Sequence, residues 1–154
     1  MVLTSRDKLF LKKLLKELKS HRALHTEFVT VYIPAGYNLD KIINHLSEEQ
    51  GTASNIKSSI TRKNVQAALE KMIVHLKGYS KTPEKGVAVF CGNIAASEGK
   101  QDFKIWTYEP QTPLNTRIYR CDKTFVKDII ESALIDDTVY GLVVLDRRDA
   151  VIAL

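Results

Sequence analysis

The sequence predicts an α+β domain: a small, mainly antiparallel sheet with packed helices and a protruding helical hairpin. Three observations carry that expectation. Short runs rich in β-branched and aromatic residues, such as EFVTVYIP at Glu27–Pro34, are bounded by glycine, proline and asparagine. Longer segments repeat their apolar residues at helical spacing. Two of those segments are separated only by a polar stretch, GTASNIKSS at Gly51–Ser59, which is the pattern of an αα-hairpin. A length of 154 residues is enough to bury a sizeable core, and 44% hydrophobic with 27% charged residues is an ordinary globular balance.

In chain order, Phe10, Leu11, Leu14, Leu15 and Leu18 mark one face of an amphipathic helix, with Ser5 as its expected N-cap and lysines opposite. A core-facing helix and a membrane-surface helix share this pattern, and the core-facing form is the commoner. The strand at Glu27–Pro34 ends at its proline, and Gly36 and Asn38 punctuate the turn that follows. Leu39, Ile42, Ile43 and Leu46 mark a second helix, with Asn38 as N-cap and Gly51 expected to stop it in the left-handed conformation. Val65, Ala68, Leu69, Met72, Ile73 and Leu76 keep the helical period as far as Gly78. Strands are then expected at GVAVFCG (Gly86–Gly92), DFKIWTYE (Asp102–Glu109) and TRIYRC (Thr116–Cys121), with a turn at Ala96–Gln101 and breaks at Pro110 and Pro113. Phe125, Ile129, Ile130 and Leu134 mark another helix. YGLVVL (Tyr140–Leu145) and AVIAL (Ala150–Leu154) read as two last strands around a DRRD turn. Because the chain stops inside an apolar strand, residues 1–135 are expected to form one domain and residues 136–154 the start of a truncated second.

The function classes narrow quickly. A net charge of +5 and a pI near 9.2 favour anionic partners. Cys91 and Cys121 form no CxxC pair, and two free thiols suit a reducing cytosol. No apolar run has the length of a membrane span, and the N-terminus lacks the uninterrupted apolar core of a signal peptide, so a cytoplasmic protein without membrane contact is expected. His21, His25, His45 and His75 show no metal-ligand spacing, and no phosphate-binding glycine loop occurs, so no metal and no cofactor are expected. Glu48 and Glu49 diverge by about 100° as helix neighbours and make no acid–base pair by themselves. A cysteine nucleophile paired with a histidine is the one enzyme reading left, set against the commoner buried structural thiol.

The polar linker carries the strongest signal. From Gln50 to Leu69 there is no acidic residue, while Lys57, Arg62 and Lys63 are basic. A helix N-terminus adds partial positive charge and free N–H groups, which suits phosphate and sugar. Thr52, Ser54, Asn55 and Ser58 supply donors and acceptors able to read base edges, and Lys57 supplies a mobile ammonium. Single-stranded RNA is read through such groups on unstacked bases. The same serines also suit plain capping of the next helix, with Ser54 or Ser58 as N-cap. Ile56 either touches a base or fastens the loop to the hairpin beneath it.

GTASNIKS (Gly51–Ser58) resembles the signature loop of the archaeal and eukaryotic class I peptide-chain release factors, the family that reads stop codons in translation termination. Tyr119, Cys121 and Phe125 in YRCDKTF match that family's YxCxxxF pattern. EPQTPLNTRIYRCDKTF, CGNI, SEGK and the final YGLVVLD are similar to the same family in the same order, so the likeness covers nearly the whole chain and points to its archaeal members.

The resemblance implies an N-terminal codon-recognition domain. It implies that Asn55, Ile56, Lys57 and Ser58 recognise the first uridine of the stop codon in the ribosomal A site. It implies that Glu49, Tyr119, Cys121 and Phe125 shape the pocket for the purines that follow, although a phenylalanine at the first turn of an amphipathic helix is more often core, packing that helix. Thr26 matches a threonine of the loop before the first strand, and Arg62 a basic residue beyond the motif. His25 stands where the family has glycine, Ser59 where it commonly has a basic residue, and IPAG where it commonly has a double proline. The family's glycine-glycine-glutamine motif is absent from this chain, so hydrolysis of peptidyl-tRNA would belong to a further domain. The implied partners are the messenger RNA stop codon, ribosomal RNA and a translational GTPase acting on the full-length factor. A general RNA-binding or ribosome-associated module without codon specificity is the alternative.

Overall fold

The computed structural model describes residues 3–135. The expected strands at 140–145 and 150–154, and the expected domain boundary, lie outside the described residues. The chain divides into two compact units, one formed by His21–Phe125 and the other by the segments before and after it.

In the second of these units, α1 spans Ser5–Lys19 and buries Leu11, Leu14, Leu15 and Leu18. Its N-cap is Thr4 rather than the expected Ser5. The Thr4 hydroxyl accepts from the Asp7 N–H, and the Asp7 carboxylate accepts from the Thr4 N–H, a reciprocal capping box that Ser5 could not close with Asp7 only two residues away. The helix expected around Phe125–Leu134 begins only at residue 128 and is still helical at 135; Phe125 precedes it. Lys19 pairs with Glu131 at 3.4 Å.

The larger unit holds a four-stranded antiparallel sheet in the order β3-β2-β1-β4, with β1 at Phe28–Ile33, β2 at Val87–Asn93, β3 at Phe103–Tyr108 and β4 at Ile118–Asp122. The central strands β1 and β2 are buried on both faces, as their near-continuous apolar runs require. Two helices cover one face. The first, α2, spans Leu39–Thr52 and is capped by Asn38, whose side chain accepts from the Asp40 N–H. The second, α3, spans Ser59–Lys77. Leu39, Ile42 and Leu46 of α2, and Val65 through Leu76 of α3, meet Val29, Val31, Ile33, Val87, Val89 and Cys91 in one core. The opposite face carries stacked rings: Phe28 lies parallel to Phe125 at 4.4 Å, and Phe90 and Trp106 meet Phe125 edge-on.

Gly51 does not stop α2. The helix runs one residue further, Gly51 has no left-handed φ, and a 3-10 turn at Ala53–Asn55 follows directly. The tightened last turn absorbs the orphan carbonyls that a left-handed glycine would otherwise meet.

Candidate nucleic-acid interface

The linker between α2 and α3 is held from within. The Ser54 hydroxyl donates to the Gly51 carbonyl at 2.7 Å, and the Ile56 N–H donates to Ala53 at 3.1 Å. Ile56 is half-buried and packs against the helix–sheet core. Its carbonyl accepts from the Arg62 guanidinium at 3.0 Å. Ser58, not Ser54, is the N-cap of α3, accepting from the Thr61 N–H. Below the tip, Gln50 and Gln66 exchange side-chain to backbone hydrogen bonds, which clasp α2 to α3.

What remains outside is Gly51, Thr52, Ser54, Asn55, Lys57, Ser58, Ser59 and Ile60, all exposed. The Lys57 ammonium has no carboxylate within ion-pair distance among the described residues. The helix that follows is also unusual in its charge. An acid stands in the first turn of α1 (Asp7) and of α2 (Asp40), but none stands in the first turn of α3, where Arg62 and Lys63 come next. Cations near a helix N-terminus oppose the helix dipole, so this end is left electrostatically unsatisfied and open to an anion.

A second group of side chains stands one helical turn back along α2. Tyr119 and Cys121 lie two apart on β4, opposite Val31 and Val29, and so share the face that α2 and α3 cover. The Tyr119 hydroxyl and the Cys121 sulfur are hydrogen-bonded at 3.2 Å. Burial pushes the Tyr119 phenol well above its usual range, helped by Cys121 and by the negative charge of Glu49. Burial also pushes the Cys121 thiol up; its bond to Tyr119 partly offsets this, and Glu49 adds to it. Both groups therefore keep their protons beside a carboxylate. Cys91 lies deeper, its thiol pushed up to about 12 by burial. A thiolate nucleophile needs the opposite shift.

Phe125 is not with them. It lies on the other face of the sheet, buried in the aromatic stack with Phe28, Phe90 and Trp106. Its burial is what a phenylalanine beside an amphipathic helix suggests, but it packs on the sheet and not within that helix, which starts three residues later. Thr26 is exposed on the bend that leads into β1.

Two groups escaped sequence reasoning. The first is a buried polar chain. Glu27 accepts from the Asn64 side-chain amide at 2.6 Å and from the Thr61 hydroxyl at 3.4 Å, and Asn64 in turn accepts from Asn93 at 3.1 Å. It ties the bend carrying Thr26 to the first turns of α3. The second is His45 with Arg117. His45 stands four residues before Glu49 on α2, an i,i+4 pair visible in the sequence, but Arg117 arrives from β4's approach and no local pattern announces it.

Fold and site together define a small α+β domain with a basic, acid-free hairpin tip and a polar cluster on the adjoining edge strand. The profile of the family described as eRF1 domain 1 matches residues 6–135. The peptide chain release factor subunit 1 of Thermococcus kodakarensis is 51% identical over 144 residues, covering 94% of this chain and 35% of that protein. The subunit 1 of Methanocaldococcus jannaschii is 44% identical over 156 residues, covering all of this chain and 37% of that protein. A crystal structure described as the archaeal translation termination factor aRF1 superposes with a TM-score of 0.75 at 33% identity, over 82% of this chain and 34% of that one. The chain belongs to the eRF1 domain 1 family. It spans about a third of the length of the curated relatives it matches. No helix among the described residues is long and apolar enough to cross a membrane.

Proposed function

We propose that this chain is the part of an archaeal-type class I release factor that reads the stop codon of messenger RNA in the ribosomal A site. The observation that carries the reading is the hairpin tip: Ile56 and Arg62 hold the loop from below while Asn55 and Lys57 stay exposed above an acid-free helix start. Asn55 and Lys57 are then the groups that meet the first uridine. Thr52, Ser54 and Ser58 spend part of their hydrogen-bonding capacity on the backbone of the two flanking helices, and Ile56 acts chiefly as the loop's anchor. Glu49 offers an acceptor, and the Tyr119–Cys121 pair, which spends one proton on its mutual bond, offers one neutral donor to the purines that follow. Phe125 supports the sheet from behind rather than touching RNA. Thr26 borders the same helix start through the Glu27 bonds.

The domain does no chemistry itself. It works in the cytoplasm as part of a longer factor that adds the hydrolysis-triggering domain and engages ribosomal RNA and a translational GTPase. The test is a reconstituted termination assay with the full-length factor. Lys57→Ala is expected to abolish release at stop codons while the domain stays folded. Unchanged release at every stop codon would overturn the reading.

A further inference from the structure

We propose that His45 and Arg117 are positioning residues that set the orientation of Glu49, and through it the codon preference of the site; the proposal rests on the codon-reading function above. The geometry is specific. Arg117 Nη2 lies 2.7 Å from His45 Nδ1, and His45 Nε2 lies 3.3 Å from Glu49 Oε1. The His45 ring meets the Tyr119 ring edge-on at 5.2 Å, with an interplanar angle of 70°. The guanidinium of Arg117 also lies over the Tyr37 ring, 5.4 Å from its centre.

The hydrogen-bond inventory decides the direction of this chain. A guanidinium has donors and no acceptor. His45 Nδ1 must therefore accept, and the imidazole proton sits on Nε2, aimed at Glu49. Arg117 donates to His45, whose Nε2–H stands 3.3 Å from Glu49 Oε1, within ion-pair distance. One carboxylate oxygen thereby faces the imidazole and the other is left for a ligand. The ring's contact with Tyr119 ties the same residue to the second reading group. Tyr37 holds the guanidinium in place by a cation–π contact at the far end. Glu49 is thus oriented by residues on two other elements, β4's approach and the turn before α2, rather than by its own helix alone.

Two measurements test this. In the 154-residue chain, nitrogen NMR of the imidazole is expected to report the Nε2–H tautomer for His45, with the Nδ1 resonance shifted in Arg117→Ala as its hydrogen bond is lost. In the full-length factor, His45→Ala and Arg117→Ala are each expected to raise the concentration for half-maximal release about tenfold, the worth of one hydrogen bond to a charged group. The loss should differ between stop codons. His45→Gln, whose amide can accept from Arg117 and donate to Glu49, should recover most of it. An Nδ1–H tautomer would overturn the proposal. So would wild-type release and codon ratios in both alanine variants while Lys57→Ala remains inactive, a result that spares the codon-reading function. A uniform loss at every codon that His45→Gln does not rescue would mark a merely structural role and overturn it equally. A silent Lys57→Ala would remove the codon-reading function and this proposal with it.

Discussion

The Arg62 guanidinium donates to the Ile56 carbonyl at 3.0 Å, so the loop at the hairpin tip is tethered by a side chain from the helix it introduces. The bond spans six residues and closes over the base of the exposed segment. Arg62→Ala is expected to cost about 1 kcal/mol and to speed amide exchange over residues 54–58 without affecting exchange in β1. Arg62→Lys keeps the charge but not the planar fork, and should recover protection only in part. Native-state hydrogen exchange on the three proteins checks both outcomes.

The Glu27 carboxylate is buried and depends on Asn64 and Thr61 for its hydrogen bonds. Asn64→Ala removes the shorter of the two and also strips Asn93 of a partner. It is expected to destabilise the domain by about 1–3 kcal/mol. Chemical denaturation checks the magnitude. A double variant with Glu27→Leu should lose less than the sum of the two single changes, since the stranded carboxylate is gone.

Gly92 lies on β2 directly against the Phe28 ring, where a Cβ would run into Cδ1 of that ring. Phe28 cannot yield easily, because it is stacked on Phe125. Gly92→Ala should lower stability by about 1–3 kcal/mol through overpacking. Phe28→Leu in the same chain should return part of the loss, read as a rise in melting temperature over Gly92→Ala alone.

Burial holds the Cys91 thiol up to about 12, against 9.0 for an ordinary thiol. Below pH 9 the thiol is protonated in both folded and unfolded chains, and its contribution is fully present. As pH rises from 9 toward 12 the unfolded chain ionises and the folded one does not, so stability falls through that window. The urea midpoint of the wild type should therefore drop more between pH 8 and pH 10 than that of Cys91→Ala. In the folded chain Cys91 should label with a thiol reagent far more slowly than a free thiol at pH 8.

Much of this fold was legible because its signals are local. The six-residue apolar run of β1, the Asn38 cap and the helical period of α3 each sit within a short window, and each element appears where those residues stand. The cap of α1 lies one residue before the serine that composition favours, because the partner that decides it, Asp7, fits Thr4 and not Ser5. Gly51 departs from expectation because composition cannot tell a left-handed stop from a helix that tightens into a 3-10 turn. At the site, the acid-free stretch around Lys57 and the spacing of Tyr119 and Cys121 were plain in the sequence. The tether of Ile56 by Arg62, the buried Glu27–Asn64–Asn93 chain and the His45–Arg117 bond were not. The first turns on local side-chain geometry that composition does not fix, and the last two depend on the tertiary fold, joining positions more than twenty residues apart.

The alternation of β4 has a consequence for how this domain can change its length. Tyr119 and Cys121 face the helices only because β4 pairs with β1 in one register, Val31 opposite Tyr119 and Val29 opposite Cys121. Just upstream, Leu114 donates to the Lys85 carbonyl and accepts from the Ala35 N–H, which pins the approach between two neighbouring segments. Inserting a single residue between Leu114 and Tyr119 would exchange the two sides of the strand and send both polar groups into the aromatic stack. An insertion of two before Arg117 would keep the side but set Arg117 in the old place of Tyr119, opposite Val31. The stretch from Leu114 to Cys121 therefore behaves like a ruler with fixed graduations: substitutions can tune what stands at each mark, but the marks themselves cannot be moved.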